Sequence, residues 1–100
     1  MAELTGAQKK YLRGLAHHLE AVVKVGKSGV TGPVLEEIDK ALADHELIKV
    51  RLVAPQGRKR ELAAEVAGRS GSALIGLVGN VVTLYLRQPD PEKRKIEIPG

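Results

Sequence analysis

The stretch Ala21-Val22-Val23-Lys24-Val25-Gly26-Lys27-Ser28-Gly29-Val30-Thr31-Gly32-Pro33 decides how this chain is read. Residues 21–28 come close to the phosphate loop of nucleotide hydrolases, Gly-x-x-x-x-Gly-Lys-Ser/Thr. Three features set them apart. Ala21 stands where the first glycine of that pattern belongs. The residues after it are apolar and β-branched apart from Lys24, which suits a strand and not a backbone cradle. The phosphate loop also runs directly into a helix, whereas here the helix start is delayed. Thr31 is an N-cap, and Pro33 fits the first turn because its missing N–H has no helical partner there. No apolar strand ending in a magnesium-binding Asp follows. The stretch therefore reads as a strand over Ala21–Val25, a two-glycine turn over Gly26–Gly29, and a helix capped by Thr31.

The flanking elements follow from periodicity. Thr5 opens a first helix, with Gln8 three residues on as the capping-box partner. Leu12, Leu15, Ala16 and Leu19 are expected to form one buried stripe. In the second helix Val34, Leu35, Ile38, Ala41, Leu42 and His45 share a face, and Glu36, Glu37, Asp39, Lys40 and Asp44 share the other. Leu47 to Val53 alternates as a strand, with Lys49 and Arg51 turned away from Ile48, Val50 and Leu52. Pro55 and Gly57 mark a turn. A third helix is expected from Arg58 to Ser70, stopped by Gly71. Ala73 to Val78 is a nearly continuous apolar run, as in a strand inside a sheet. Gly79-Asn80 is a hairpin turn into a last strand over Val81 to Arg87. Pro89 and Pro91 end it, and Ile96-Glu97-Ile98 in the charged tail either docks or frays.

The order αβαβαββ predicts an α+β fold of two layers with a mixed four-stranded sheet. Helical crossovers join parallel strands and the tight last link joins antiparallel ones. The helices are expected on one side and an open, wet sheet face on the other. Residues 1–98 read as a single domain, since no repeat, low-complexity tract or linker interrupts them.

Composition narrows the function. The 100 residues contain no Phe, no Trp and no Cys, so the core is aliphatic and thiolate-held metal and disulfides are excluded. Neither a signal peptide nor a run of the ~20 apolar residues a membrane helix needs is visible, so a cytoplasmic protein without membrane contact is expected. The net charge of +4 invites a polyanion.

Three groups of residues could meet one. Gly26 and Gly29 permit a tight turn and close approach by another backbone, Lys27 brings a charge and Ser28 a hydroxyl, and free helix N–H groups lie just beyond. An ordinary βα turn that uses glycine for geometry is the competing explanation. Lys9, Arg13 and His17 recur every four residues on the first helix with Lys10 beside them, against the acidic face of the second. Lys49, Arg51, Thr83, Tyr85 and Arg87, with Lys24, are expected to share the open sheet face. Tyr85 would be a stacking platform there. A polar outer face that keeps the sheet soluble is the alternative. His17 and His18 cannot share a helical face, and His45 reads as a packed or capping residue. No catalytic triad, metal site or cofactor motif is recognised, so an enzyme is not expected.

Two longer runs resemble a known family. Lys10-Tyr11-Leu12-Arg13-Gly14-Leu15-Ala16-His17 and Val22-Val23-Lys24-Val25-Gly26-Lys27-Ser28-Gly29-Val30-Thr31 are similar to the CRM domain (chloroplast RNA splicing and ribosome maturation), in particular to the stand-alone bacterial YhbY-type proteins. The likeness continues through His45-Glu46-Leu47-Ile48-Lys49-Val50 and Gly79-Asn80-Val81-Val82-Thr83-Leu84-Tyr85, and spans about Leu4 to Ile98. It implies a fold like the C-terminal domain of the third bacterial initiation factor. It also implies that Gly26 to Gly29 form a Gly-x-x-Gly loop likened to that of KH domains, and an association with precursors of the large ribosomal subunit. Together these readings predict a monomeric, non-catalytic RNA-binding protein acting on ribosomal RNA. The competing expectation is a protein-interaction module that docks through the acidic second helix.

Overall fold

A computed structural model of the chain describes residues 4–53 and 57–99. Pro55, expected at a turn, lies outside them. The elements run α1 (Gly6–Ala16), β1 (Ala21–Val25), α2 (Gly32–His45), β2 (Leu47–Leu52), α3 (Lys59–Ser70), β3 (Ala73–Val78) and β4 (Val81–Tyr85), then a short 3-10 turn at Pro91–Lys93. The α+β class and the αβαβαββ order are as the sequence predicts.

The helix ends follow local chemistry. Thr5 caps α1 by accepting from the Gln8 N–H, and the Gln8 side chain answers at the Thr5 N–H. Thr31 caps α2 through the Val34 N–H, with Pro33 in the first turn. Gly71 stops α3 at φ 69°, a left-handed conformation that costs a glycine little because it has no Cβ.

The sheet order is β1-β2-β4-β3. β1 and β2 are parallel, with Ala21 opposite Lys49 and Lys24 opposite Arg51. β4 is antiparallel to both β2 and β3, so the sheet is mixed. The apolar run of β3 does not sit inside the sheet. β3 is an edge strand, and its Val78 is 80% exposed.

Alternation divides the sheet into two faces. Val23, Val25, Ile48, Val50, Leu52, Val82 and Leu84 point one way and pack with Ile38 and Leu42 of α2 and Ala63 and Val66 of α3. This layer of two helices on a sheet is the main core. The other face carries a second, smaller core, in which Leu12 and Ala16 of α1 pack on Leu47, Ile75 and Tyr85, with Ile96 and Ile98 of the tail alongside. The tail therefore docks, and only two of the three helices lie on the same side. The face expected to be open is closed at one end by α1 and the tail. Tyr85 is buried there (2% exposed) and offers no stacking platform. β4 ends at Tyr85, so Arg87 lies past the sheet, exposed, and not on its face. Leu15 and Leu19 are exposed, because the surface α1 covers is only wide enough for Leu12 and Ala16, and His45 is exposed at the end of α2.

Glu46 joins these parts. It is 1% exposed, and its backbone adopts φ 62°, ψ −40° at the turn from α2 into β2. One carboxylate oxygen accepts from the Gln88 N–H at 3.0 Å. The other accepts from the Ile96 N–H at 3.2 Å and from the Lys95 N–H. Arg94 adds a hydrogen bond from Nε to the Gln88 carbonyl at 2.8 Å.

Two outcomes test this arrangement. Leu12→Ala should cost about 2–5 kcal/mol in urea denaturation because it opens a cavity in the second core, whereas exposed Leu15→Ala should cost less than about 1 kcal/mol. Equal costs would mean that α1 does not dock. Burial, and then the nearby Glu46 charge, raise the Tyr85 hydroxyl above its ordinary pKa of 10.0, while Arg87 and Arg94 act the other way. Above pH 10 the unfolded chain loses this proton before the native state does. Stability present below pH 10 is therefore lost as the pH rises beyond it. Unfolding free energies at pH 9 to 11 should fall less steeply for Tyr85→Phe than for the parent chain.

Candidate nucleic-acid interface

α1 closes only one end of its sheet face, and a groove of about 660 Å³ fills the other. Its floor is formed by Lys49 and Arg51 of β2, Thr83 of β4 and Gly76 of β3, with Val78 and Val81 at the far end of the hairpin. Lys49 and Thr83 are cross-strand partners, as are Gly76 and Thr83. The wall is the flank of α1 that carries Arg13 and His17. Lys9 lies one helical turn before Arg13 on the same flank.

Arg13 is held in place. Its Nη1 donates to the Ile75 carbonyl at 3.3 Å. The stem crosses β3 directly over Gly76, where an added Cβ would meet the Arg13 Cδ at 3.3 Å and Cγ at 3.7 Å. Any other residue at 76 would crowd the guanidinium stem. The irregular register between Leu74 and Gly76 lies at the same place.

The Gly-x-x-Gly turn is a separate cleft. It faces the first turns of α3 and is lined by Arg58, Glu61 and Glu65. Among the described residues none lines both clefts. They are linked along β1 and β2, where Lys24 and Arg51 sit side by side just before the strands end. Lys27 and Ser28 are exposed. The Gly29 N–H donates to the Gly26 carbonyl at 3.0 Å, closing the turn. Two carboxylates near a turn expected to meet phosphate weaken its field. Each is answered by an arginine, Glu61 by Arg58 and Glu65 by Arg69, both at 3.4 Å. Arg69 also donates to the Val30 carbonyl at 2.6 Å, which pins the start of α2 to α3.

The residues singled out in the sequence thus divide three ways. Arg13, Lys49 and Arg51 converge on the groove, with Lys24 paired beside Arg51. Gly26, Lys27, Ser28 and Gly29 form the second cleft. Lys10 faces neither, and lies with Tyr11, Gly14 and Leu15 on the opposite flank of α1. The acidic residues of α2 are exposed on the helical side, away from the groove. Arg58, which faces the turn, was missed, although the run Arg58-Lys59-Arg60 after Gly57 was a usable signal. Gly76 had no such signal, since only the path of Arg13 gives it a role. Among the described residues no group of three or more His, Cys, Asp or Glu is placed to hold a metal ion.

Fold and groove together define a small α+β domain with a cationic cleft on one sheet face. The chain belongs to the CRS1/YhbY (CRM) domain family, whose model matches residues 4–86. A Pseudomonas aeruginosa protein named as a probable RNA-binding protein is 41% identical over 91 residues, covering 90% of this chain and 88% of its own. A Haemophilus influenzae protein named as an RNA-binding protein is 39% identical, covering 99% and 98%. The solution structure of a Staphylococcus aureus protein, described as a candidate RNA-binding protein, superposes with a TM-score of 0.80. It is 35% identical and covers 97% of this chain and 100% of its own.

The two loop glycines are not equivalent. Gly29 has φ +74°, which L side chains rarely adopt, whereas Gly26 has no such φ and nothing within 4 Å of an added Cβ. Gly29→Ala should destabilise the chain by roughly 1 kcal/mol and Gly26→Ala by clearly less, read from denaturation midpoints. The reverse order would mean that the turn is built differently.

Proposed function

We propose that this protein binds RNA without catalysing a reaction, and that its target is ribosomal RNA during assembly of the large subunit. The observation that carries the reading is the convergence of Arg13, Lys49 and Arg51 on one groove. These cations come from two elements distant in sequence, and the acidic face of α2 is turned to the other side. A phosphate backbone is attracted to such a groove and kept from the carboxylates of α2, and the Glu20 carboxylate that also lines it is outnumbered by Arg13, Lys49 and Arg51. Lys24 extends the charge towards Lys27 and the Gly-x-x-Gly turn, so a strand could follow β1 and β2 from groove to turn. The names of the relatives from Pseudomonas aeruginosa and Haemophilus influenzae support RNA as the partner. Ribosomal RNA, a cytoplasmic location and a monomeric state rest on the family resemblance and the composition.

Fluorescence anisotropy with labelled single-stranded RNA tests the reading. The log–log salt slope should be roughly −0.7 for each phosphate contact, so four contacts give about −2.8. Lys49→Glu with Arg51→Glu should weaken binding about tenfold or more at low salt, alike for different RNA sequences and with the chain still folding cooperatively. Affinity indifferent to salt and to these substitutions would remove the groove from the interface. Crosslinking in cells, followed by sequencing of the attached RNA, should recover precursors of the large-subunit RNA. Recovery of other RNA classes alone would overturn the ribosomal part.

A further inference from the structure

α1 carries a third stripe, neither buried nor basic. Tyr11 and Leu15 lie four apart on the flank opposite Arg13, and His18 and Leu19 continue the stripe after the helix ends. Tyr11, Leu15, Leu19 and Val22 are the most exposed large apolar residues on this side, at 39–54%. They line a recess of about 630 Å³ between α1, the start of β1 and the tail. That size lies within the range of small-molecule sites, which are mostly apolar with a few polar groups.

The polar groups of the recess select its ligand. Glu20 and Glu97 stand at its rim, with His18 and His45 as ring donors or acceptors and Lys95 from the tail. Two carboxylates repel a phosphate, but they accept hydrogen bonds from an amino group. Tyr11 and His18 supply flat faces of the kind on which unpaired bases stack. Leu19 and Glu20 line this recess and the cationic groove as well, so the two open onto each other around the end of α1. The tail wall, residues 95–97, lies beyond the stretch that matches the family model.

We propose that this recess is a nucleobase site. It takes one unpaired base that carries an exocyclic amino group (adenine, cytosine or guanine) while the adjoining phosphates occupy the groove. Tyr11 and His18 stack on the ring, Leu15, Leu19 and Val22 exclude water from it, and Glu20 or Glu97 accepts from the amino group. Uracil has no such donor and is the disfavoured base. The assignment rests on the RNA-binding reading above and adds a base preference to it.

Anisotropy titrations with short oligoadenylate, oligocytidylate and oligouridylate of equal length test the assignment. The parent chain should bind the first two about tenfold more tightly than the third. That ratio should hold as salt is raised, because the amino-group hydrogen bond that sets it displaces no phosphate counterions, while all three affinities fall. Glu20→Ala with Glu97→Ala should erase the ratio and leave the melting temperature unchanged, since both side chains are exposed. Tyr11→Ala with His18→Ala should instead weaken all three oligomers, because every base has a face to stack. Arg51→Glu should weaken all three oligomers and preserve the ratio. A parent chain with no base preference, or a Glu20/Glu97 double variant that keeps it, overturns the nucleobase site while the RNA reading stands. Failure of every oligomer and of structured RNA to bind overturns both.

Discussion

The Glu46 carboxylate accepts hydrogen bonds from three backbone N–H groups that belong to two separate stretches of chain, one leaving β4 and one in the tail. Hydrogen bonds to a charged group contribute about 1.5–3 kcal/mol each, more than neutral ones. They also give buried N–H groups the partners they need when no strand runs beside them. The backbone at Glu46 is left-handed, which costs a side-chain-bearing residue about 1 kcal/mol or more. That conformation aims the carboxylate inward where β2 begins, and its own carbonyl accepts from the Leu86 N–H at 2.8 Å. With the tail held, Ile96 and Ile98 complete the second core beneath α1.

The second core then sets where the groove can be. A helix of eleven residues is about 16 Å long and covers only part of a four-stranded sheet. α1 lies where the sheet offers Leu47, Ile75 and Tyr85, while Val78 and Val81 of the same face are left at the open groove. Beyond them the same face presents Lys49 and Arg51, whose charges favour water, with Thr83 buried between the strands. The boundary between covered and open sheet is therefore written in the alternation of β2 and β4, and it falls between Leu47 and Lys49. Arg13 bridges that boundary. Its stem runs over Gly76 and its head is anchored on a main-chain carbonyl at the rim of the groove.

Charge is segregated by the same geometry. α2 and α3 hold the main core on one face, and the exposed acids of α2 lie on that side. α1 divides its exposed surface into a cationic flank towards the groove and an apolar, aromatic flank towards the tail. A polyanion meets cations first on one face. Glu20 in the groove and the two carboxylates beside the Gly-x-x-Gly turn interrupt that pattern; the latter two are partnered by arginines, and Lys27 is exposed on the turn.

The sequence by itself determined everything that depends on neighbours within a few residues. The caps at Thr5, Thr31 and Gly71 and the alternation of β2 were readable because capping and pleating are local. So was the rejection of a nucleotide loop at Ala21–Ser28. The cations Arg13, Lys49 and Arg51 were legible as candidates for the same reason. Only the tertiary structure decided which face each residue meets. Tyr85 alternates like a surface residue, yet α1 buries it, and the apolar run of β3 lies at an edge. His45 shares a stripe with Ile38 and Leu42 but emerges into water. Glu46 reads as one more surface acid until the tail folds across it. A period reports how a chain repeats and not what lies opposite, because burial is set by contacts between segments far apart in the chain.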